Sequence, residues 1–224
     1  MWWSRSPVST EGADAPDPTA LAPSIVLASA SPRRREVLMS LGLSFEVVPA
    51  PPGTEAGWNG VESPPAFARR SAEAKAAVVA AGRPGALVVA ADTIVVLEGR
   101  VLGKPTGDAD ARSMLARLAG REHTVHTGVA LAAPGGPSAS GVEATRVAFR
   151  DLASDEILAY VATGEPLDKA GAYGIQAYGA TLVAGVHGCY FNVMGFPVAR
   201  FLALLGELGW EYRAPGRLHP VTLS

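Results

Sequence analysis

One stretch constrains this chain more than any other: Ala86-Leu-Val-Val-Ala-Ala-Asp-Thr-Ile-Val-Val-Leu97. Its β-branched residues make it a strong strand over Leu87 to Val96. It falls short of the roughly 20 apolar residues that a helix needs to cross a bilayer, and Asp92 breaks it. A carboxylate in the middle of an apolar strand is expensive unless it is paired, backbone-bonded or bound to a metal. Removing that charge is therefore expected to leave stability unchanged or raise it. Asp92 is at once a structural anomaly and a candidate metal ligand or general base.

Around this strand, helical and strand-like segments alternate. Ser24 to Ala28, Ser44 to Val48, Val125 to Ala132, Val142 to Phe149 and Leu182 to Val186 read as strands, and a short return strand follows Glu98-Gly99 through Leu102. Helices are predicted over Arg33 to Leu41, Pro64 to Ala81, Asp108 to Leu118, Ser154 to Ala162 and Val198 to Leu208. Ser63 and Pro64 supply an N-cap and a first-turn proline. The interleaving predicts one α/β domain with a mixed, twisted sheet flanked by helices, over residues 24–210. Residues 1–23 are expected to be a disordered tail, since Pro, Ser, Thr, Ala and Asp dominate without apolar period. Residues 211–224 are expected to be a loose C-terminal tail. The N-terminus lacks the basic start and apolar core of a signal peptide.

Charge narrows the function. The formal net charge is −2, which speaks against a coat for nucleic acid, where affinity comes from neutralising many phosphates. The single cysteine, Cys189, excludes an internal disulfide framework and suits a reducing cytoplasm. No membrane partner is expected.

Four segments carry candidate chemistry. In Leu27-Ala-Ser-Ala-Ser-Pro-Arg-Arg-Arg-Glu36, a strand runs through a small-residue turn into a helix. Ser31 reads as its N-cap and Pro32 as its first residue. Arg33, Arg34 and Arg35 then oppose the helix dipole, a cost that a bound anion would offset. The alternative is a solvated basic turn. Asp92-Thr93 is the second segment. Gly103-Lys104-Pro105 is the third, returned by its turn toward the strand of Asp92. The fourth, Glu165 to Gln176, is charged, punctuated by Gly171 and Gly174, and reads as a binding loop. Lys75, on the second helix, is weaker by itself, and no histidine pair is persuasive.

Taken together and in order, LASASPRRREVL at 27–38, AADTIVVLEGRVLGKP at 90–105, HTGVAL at 126–131, GEPLDKAGAYGIQ at 164–176 and GCYFNVMGFP at 188–197 resemble the Maf family of nucleoside triphosphate pyrophosphatases. The resemblance implies a Maf/ITPase-like α/β fold with a substrate cleft. It also implies hydrolysis of a nucleotide to its monophosphate and pyrophosphate, with Mg2+ or Mn2+ as the divalent metal cofactor. Carried over by position, Asp92 looks like the proton acceptor for the attacking water and a metal ligand. Arg33, Thr93 and Gln176 fall where substrate choice is tuned, and Ser29, Arg34, Lys75, Lys104 and Lys169 match other substrate-binding positions. The GAYGIQ form resembles the subfamily acting on dTTP and UTP; a purine or methylated-GTP pyrophosphatase and a cell-division-arrest (septum-formation) interaction protein are the alternatives. The stretch Ala50-Pro-Pro-Gly-Thr-Glu-Ala56 departs from the family pattern, because Glu55 alone stands where an acidic pair helps to bind metal. A homodimer is a family expectation.

Overall fold

In the computed structural model, which describes residues 22–54 and 57–221, the apolar run becomes an interior strand of a seven-stranded mixed sheet. Strand β1 (Ser24–Leu27) lies between β2 (Phe45–Val47) and β3 (Ala86–Leu97), parallel to both. Beyond β3 the sheet continues antiparallel through β5 (Glu122–Ala132), β6 (Ser138–Phe149) and β7 (Val183–His187). Between them in the chain, β4 (Arg100–Leu102) folds back onto the end of β3.

The two parallel connections run through α1 (Pro32–Ser40) and α2 (Pro64–Ala81). Alternation along β1 puts them on opposite faces. Ile25 and Leu27 share a core with Val37 and Leu38 of α1. Val26 and Ala28 share another with Ala72, Ala76 and Val79 of α2. Helix α2 crosses the sheet so closely that a Cβ on Gly128 would sit 2.1 Å from the Ala68 carbonyl oxygen. A third core joins α3 (Asp108–Leu118) and α4 (Ser154–Ala162) to Val125, Val147 and Phe149. The short α5 (Tyr190–Val193) and the amphipathic α6 (Val198–Glu207) follow β7, and Phe201, Leu204 and Leu205 of α6 close the first core.

The chain's C-terminal end corrects the expected loose tail. Strands β8 (Trp210–Arg213) and β9 (Arg217–Pro220) form a hairpin. Trp210 and Leu218 are buried in the first core, and the Tyr212 hydroxyl donates to the Leu41 carbonyl at 2.7 Å. Two glycines allow the approach, since a Cβ on Gly216 would lie 1.8 Å from the Gly42 oxygen. The expected N-terminal tail falls, up to residue 21, outside the described residues. No helix among the described residues is long and apolar enough to cross a membrane.

The topology opens a crevice where the direction of winding reverses. From β1 the chain winds outward to β2, then crosses to β3 on the other side. The carboxyl end of β1 is therefore a switch point, the usual place for a ligand in an open α/β sheet. The β1 ladder stops at Val89 and the β4 ladder starts at Val95, so residues 90–94 of β3 have a strand partner on one side only. Asp92 and Thr93 lie in that gap.

Candidate active site

A cleft of about 730 Å3 occupies the gap, within the range of pockets that take small molecules. It is lined by Ser29, Arg33, Arg34, Lys75, Asp92, Thr93, Lys104 and Lys169, which the sequence places far apart. Gln176 is not among the lining residues; it occupies the N-cap position of the short turn Ala177–Leu182 without a side-chain cap bond, one residue beyond Ile175, which does line the cleft. Glu55 lies outside the described residues.

The turn after β1 is organised around Ser29 rather than by a helix cap. Ser31 occupies the N-cap position of α1 but makes no side-chain cap bond. Its amide instead donates to Ser29 Oγ at 3.2 Å. Arg34 reaches across the cleft floor and is held by three nitrogens. Nε donates to the Gly195 carbonyl at 2.9 Å, Nη1 to Ser29 Oγ at 3.0 Å and Nη2 to Thr93 Oγ1 at 3.1 Å. A guanidinium fixed in this way has its orientation set before any ligand arrives. Gly195 keeps this surface open, because a Cβ there would stand 3.1 Å from Thr93 Oγ1.

Asp92 leaves β3 on the α2 face, where Lys75 Nζ donates to its Oδ1 at 2.6 Å. Both side chains are mostly buried, at 18% and 15% exposure. The charge in the apolar strand is thus offset by a partner that the sequence did not single out for that purpose. This corrects the expectation that neutralising Asp92 would leave stability unchanged or raise it: the variant would take a countercharge from Lys75.

The far wall is the loop from Glu165 onward. Lys169 Nζ donates to the Glu165 carbonyl at 2.6 Å and to Asp168 Oδ1 at 2.7 Å. Asp168 also stands 3.9 Å from Arg33, and the neighbouring cations hold its carboxyl below the usual range against the opposing effect of burial. The Gly171 amide donates to the Gly103 carbonyl at 3.0 Å, tying this loop to the turn that carries Lys104. The Glu165 carboxylate fastens the rest. It accepts from the Tyr160 hydroxyl at 2.9 Å and from the amides of Gly179 and Tyr178 at 3.1 and 3.2 Å. Under the loop, Tyr173 OH and His123 Nε2 are 2.7 Å apart. Burial lowers the His123 pKa to about 4, so the ring is neutral at neutral pH. Sequence reasoning missed Glu165 as the loop's fastener and His123 as its buried support.

Among the described residues the cleft therefore gathers five cations, Arg33, Arg34, Lys75, Lys104 and Lys169, against two carboxylates, Asp92 and Asp168, in a chain of net negative charge. Such a field draws a polyanion. Among the described residues no group of three or more His, Cys, Asp or Glu is placed to hold a metal ion. Magnesium is commonly held by only one or two carboxylates together with substrate phosphates. Asp92 at the edge of a cation-lined cleft fits that mode.

Residues 24–208 match the family model for Maf-like protein. A dTTP/UTP pyrophosphatase of Moorella thermoacetica is 56% identical over 186 residues, covering 83% of this chain and 95% of that protein. One of Nitratidesulfovibrio vulgaris is 49% identical over 185 residues, covering 83% and 88%. Among solved structures, a nucleoside-triphosphatase / dITP/XTP pyrophosphatase from Mycobacterium abscessus overlays 74% of this chain and 86% of its own, with a TM-score of 0.40 and 17% identity. The matched span starts with β1 and ends one residue past α6, taking in every segment that lines the cleft, and on that ground the chain belongs to the Maf-like protein family.

Proposed function

We propose that the chain is a nucleoside triphosphate pyrophosphatase that hydrolyses dTTP and UTP to the monophosphate and pyrophosphate. The observation that carries the reading is Asp92, a carboxylate at the open edge of β3 in a cleft walled by five cations. The relatives named dTTP/UTP pyrophosphatase support the substrate class.

The residues divide the work by charge. Arg34 and Ser29 hold phosphate oxygens at the floor, and Lys104 and Lys169 hold the outer phosphates from the rim. Together they stabilise the charge that develops on the leaving pyrophosphate. Asp92 orients the attacking water and accepts its proton. A divalent cation, Mg2+ or Mn2+, would be held by Asp92, with Glu55 as a second ligand, and would supply charge neutralisation at the phosphates when bound. The cytoplasm is its proposed compartment, and a homodimer its proposed assembly.

The test is a panel of dTTP, UTP, CTP, GTP and 7-methyl-GTP with magnesium, read as pyrophosphate released. Pyrophosphate with monophosphate is the expected product pair, with dTTP and UTP preferred; EDTA abolishes turnover. Orthophosphate with a diphosphate as first products would overturn the reaction. A GTP or 7-methyl-GTP preference would overturn the substrate choice alone. The Gln176→Glu variant run on the same panel tests base choice, since a carboxylate cannot donate to O4 of uracil or thymine; an unchanged profile removes Gln176 from base recognition.

A further inference from the structure

The hydroxyls beside Arg34 have directions that can be worked out from their neighbours. The carbonyl oxygen of Asn192 can only accept, and Thr127 Oγ1 lies 2.9 Å from it, so Thr127 donates there. A threonine has one hydroxyl hydrogen. Thr127 must then accept in its 3.0 Å contact with Thr93 Oγ1, and Thr93 must donate. The two residues are direct cross-strand partners on β3 and β5. With its hydrogen spent on Thr127 and one lone pair taken by Arg34 Nη2, Thr93 has only a lone pair left for the cleft. Ser29 is the opposite case. Its Oγ already accepts from the Ser31 amide and from Arg34 Nη1, so its hydrogen is what remains.

The end of this chain of bonds is fixed. The Asn192 side-chain nitrogen donates to the Val125 carbonyl at 3.0 Å and to Thr145 Oγ1 at 2.9 Å. Thr145 in turn is bonded to both main-chain groups of Cys189. Asn192 and Thr127 are fully buried, and neither lines the cleft.

We propose that Thr127, which substrate cannot touch, is a positioning residue that makes Thr93 an obligate hydrogen-bond acceptor, so that the site takes a nucleotide group bearing an N–H or O–H donor beside Arg34. This rests on the pyrophosphatase reading of the cleft and adds polarity to it. A phosphate oxygen suits Ser29 and is repelled at Thr93. The donor is either the imide N–H of the base or a sugar hydroxyl, and the same hydrogen-bond chemistry serves both.

The experiment measures kcat/KM for pyrophosphate release by the full chain with three substrates: dTTP, its N3-methyl analogue and 2′,3′-dideoxy-TTP. In the wild type, the analogue lacking the donor that Thr93 reads is expected to fall at least about tenfold below dTTP. Loss with the N3-methyl analogue identifies the base, and loss with the dideoxy analogue the sugar. In Thr127→Val the Thr93 hydroxyl is released from its partner, and that ratio is expected to collapse to about twofold; Thr127→Ser restores it. A merely structural role would lower all three substrates alike and leave the ratio as it was, which overturns the proposal. So does a wild type that treats all three equally. A wild type that releases no pyrophosphate from any triphosphate overturns the pyrophosphatase reading, and the proposal falls with it.

Discussion

Asp92 shows how one misplaced charge is made tolerable and useful. Its carboxylate faces Lys75 at 2.6 Å, and the pair sits between the limits of an exposed bridge and a fully buried one. Asp92→Asn removes the basic oxygen while keeping the shape. Turnover is expected to fall by at least about a hundredfold, and unfolding free energy to drop by about 1 to 3 kcal/mol as Lys75 loses that countercharge. Chemical denaturation and pyrophosphate release on the same preparation check both; full turnover would return Asp92 to a structural role. Asp92 and the arginines were legible in sequence because each offends a local rule, a charge in an apolar strand and cations at a helix start. Thr127 and Glu165 offend none. Their roles come from partners across the sheet or across a turn, and nothing in the residue types nearby announces them. Gln176, prominent in the family pattern, stands one residue beyond the cleft-lining Ile175, and the Gln176→Glu panel decides its part in base choice.

At the scale of elements, long periodic segments were legible and short irregular ones were not. Helices α3 and α4 coincide with the expected spans, and β3 and α2 agree within a residue or two. The loop after α4 resolves instead into three short 3-10 turns, Glu165–Asp168, Ala170–Ala172 and Ala177–Leu182. Such turns have no period long enough to detect, and the last of them is fastened by one carboxylate. Glu165 accepts on both oxygens, which a carboxamide cannot do. Glu165→Gln therefore leaves the exposed Tyr178 amide unpaired if its oxygen takes the Oε1 place, and faces both the Gly179 amide and the Tyr160 hydroxyl with an NH2 if it takes the other. Amide exchange at Tyr178 and Gly179 is expected to speed up by about tenfold or more while β3 and β5 keep their protection. KM for the triphosphate is expected to rise as Lys169 and Ile175 lose their alignment. Unchanged exchange at these amides would show that the turns hold without the carboxylate.

The whole molecule stores a pH dependence in one buried ring. His123 lies where the antiparallel half of the sheet meets the active-site loop, in edge contact with Phe149 at 5.0 Å and Tyr173 at 5.3 Å between centroids. Burial lowers its pKa from 6.5 to about 4 in the folded chain. Above 6.5 the ring is neutral in both folded and unfolded chains and contributes no slope. As pH falls below 6.5 the unfolded chain binds a proton that the folded chain refuses, so folding stability is lost at about 1.4 kcal/mol per pH unit. The loss continues until about pH 4, where the folded ring also titrates, for a total of about 3 kcal/mol. His126 is shifted in the same direction by burial, and carboxylates titrate in the lower part of the window, so the wild-type slope alone does not isolate the ring. The difference between wild type and His123→Gln does, because every other group is common to both. Urea unfolding at intervals from pH 7 to pH 4.5 is expected to show the wild type losing one more proton's worth of slope than the variant, beginning near pH 6.5. Parallel curves for the two proteins would mean that the folded molecule accepts the proton on His123 without cost.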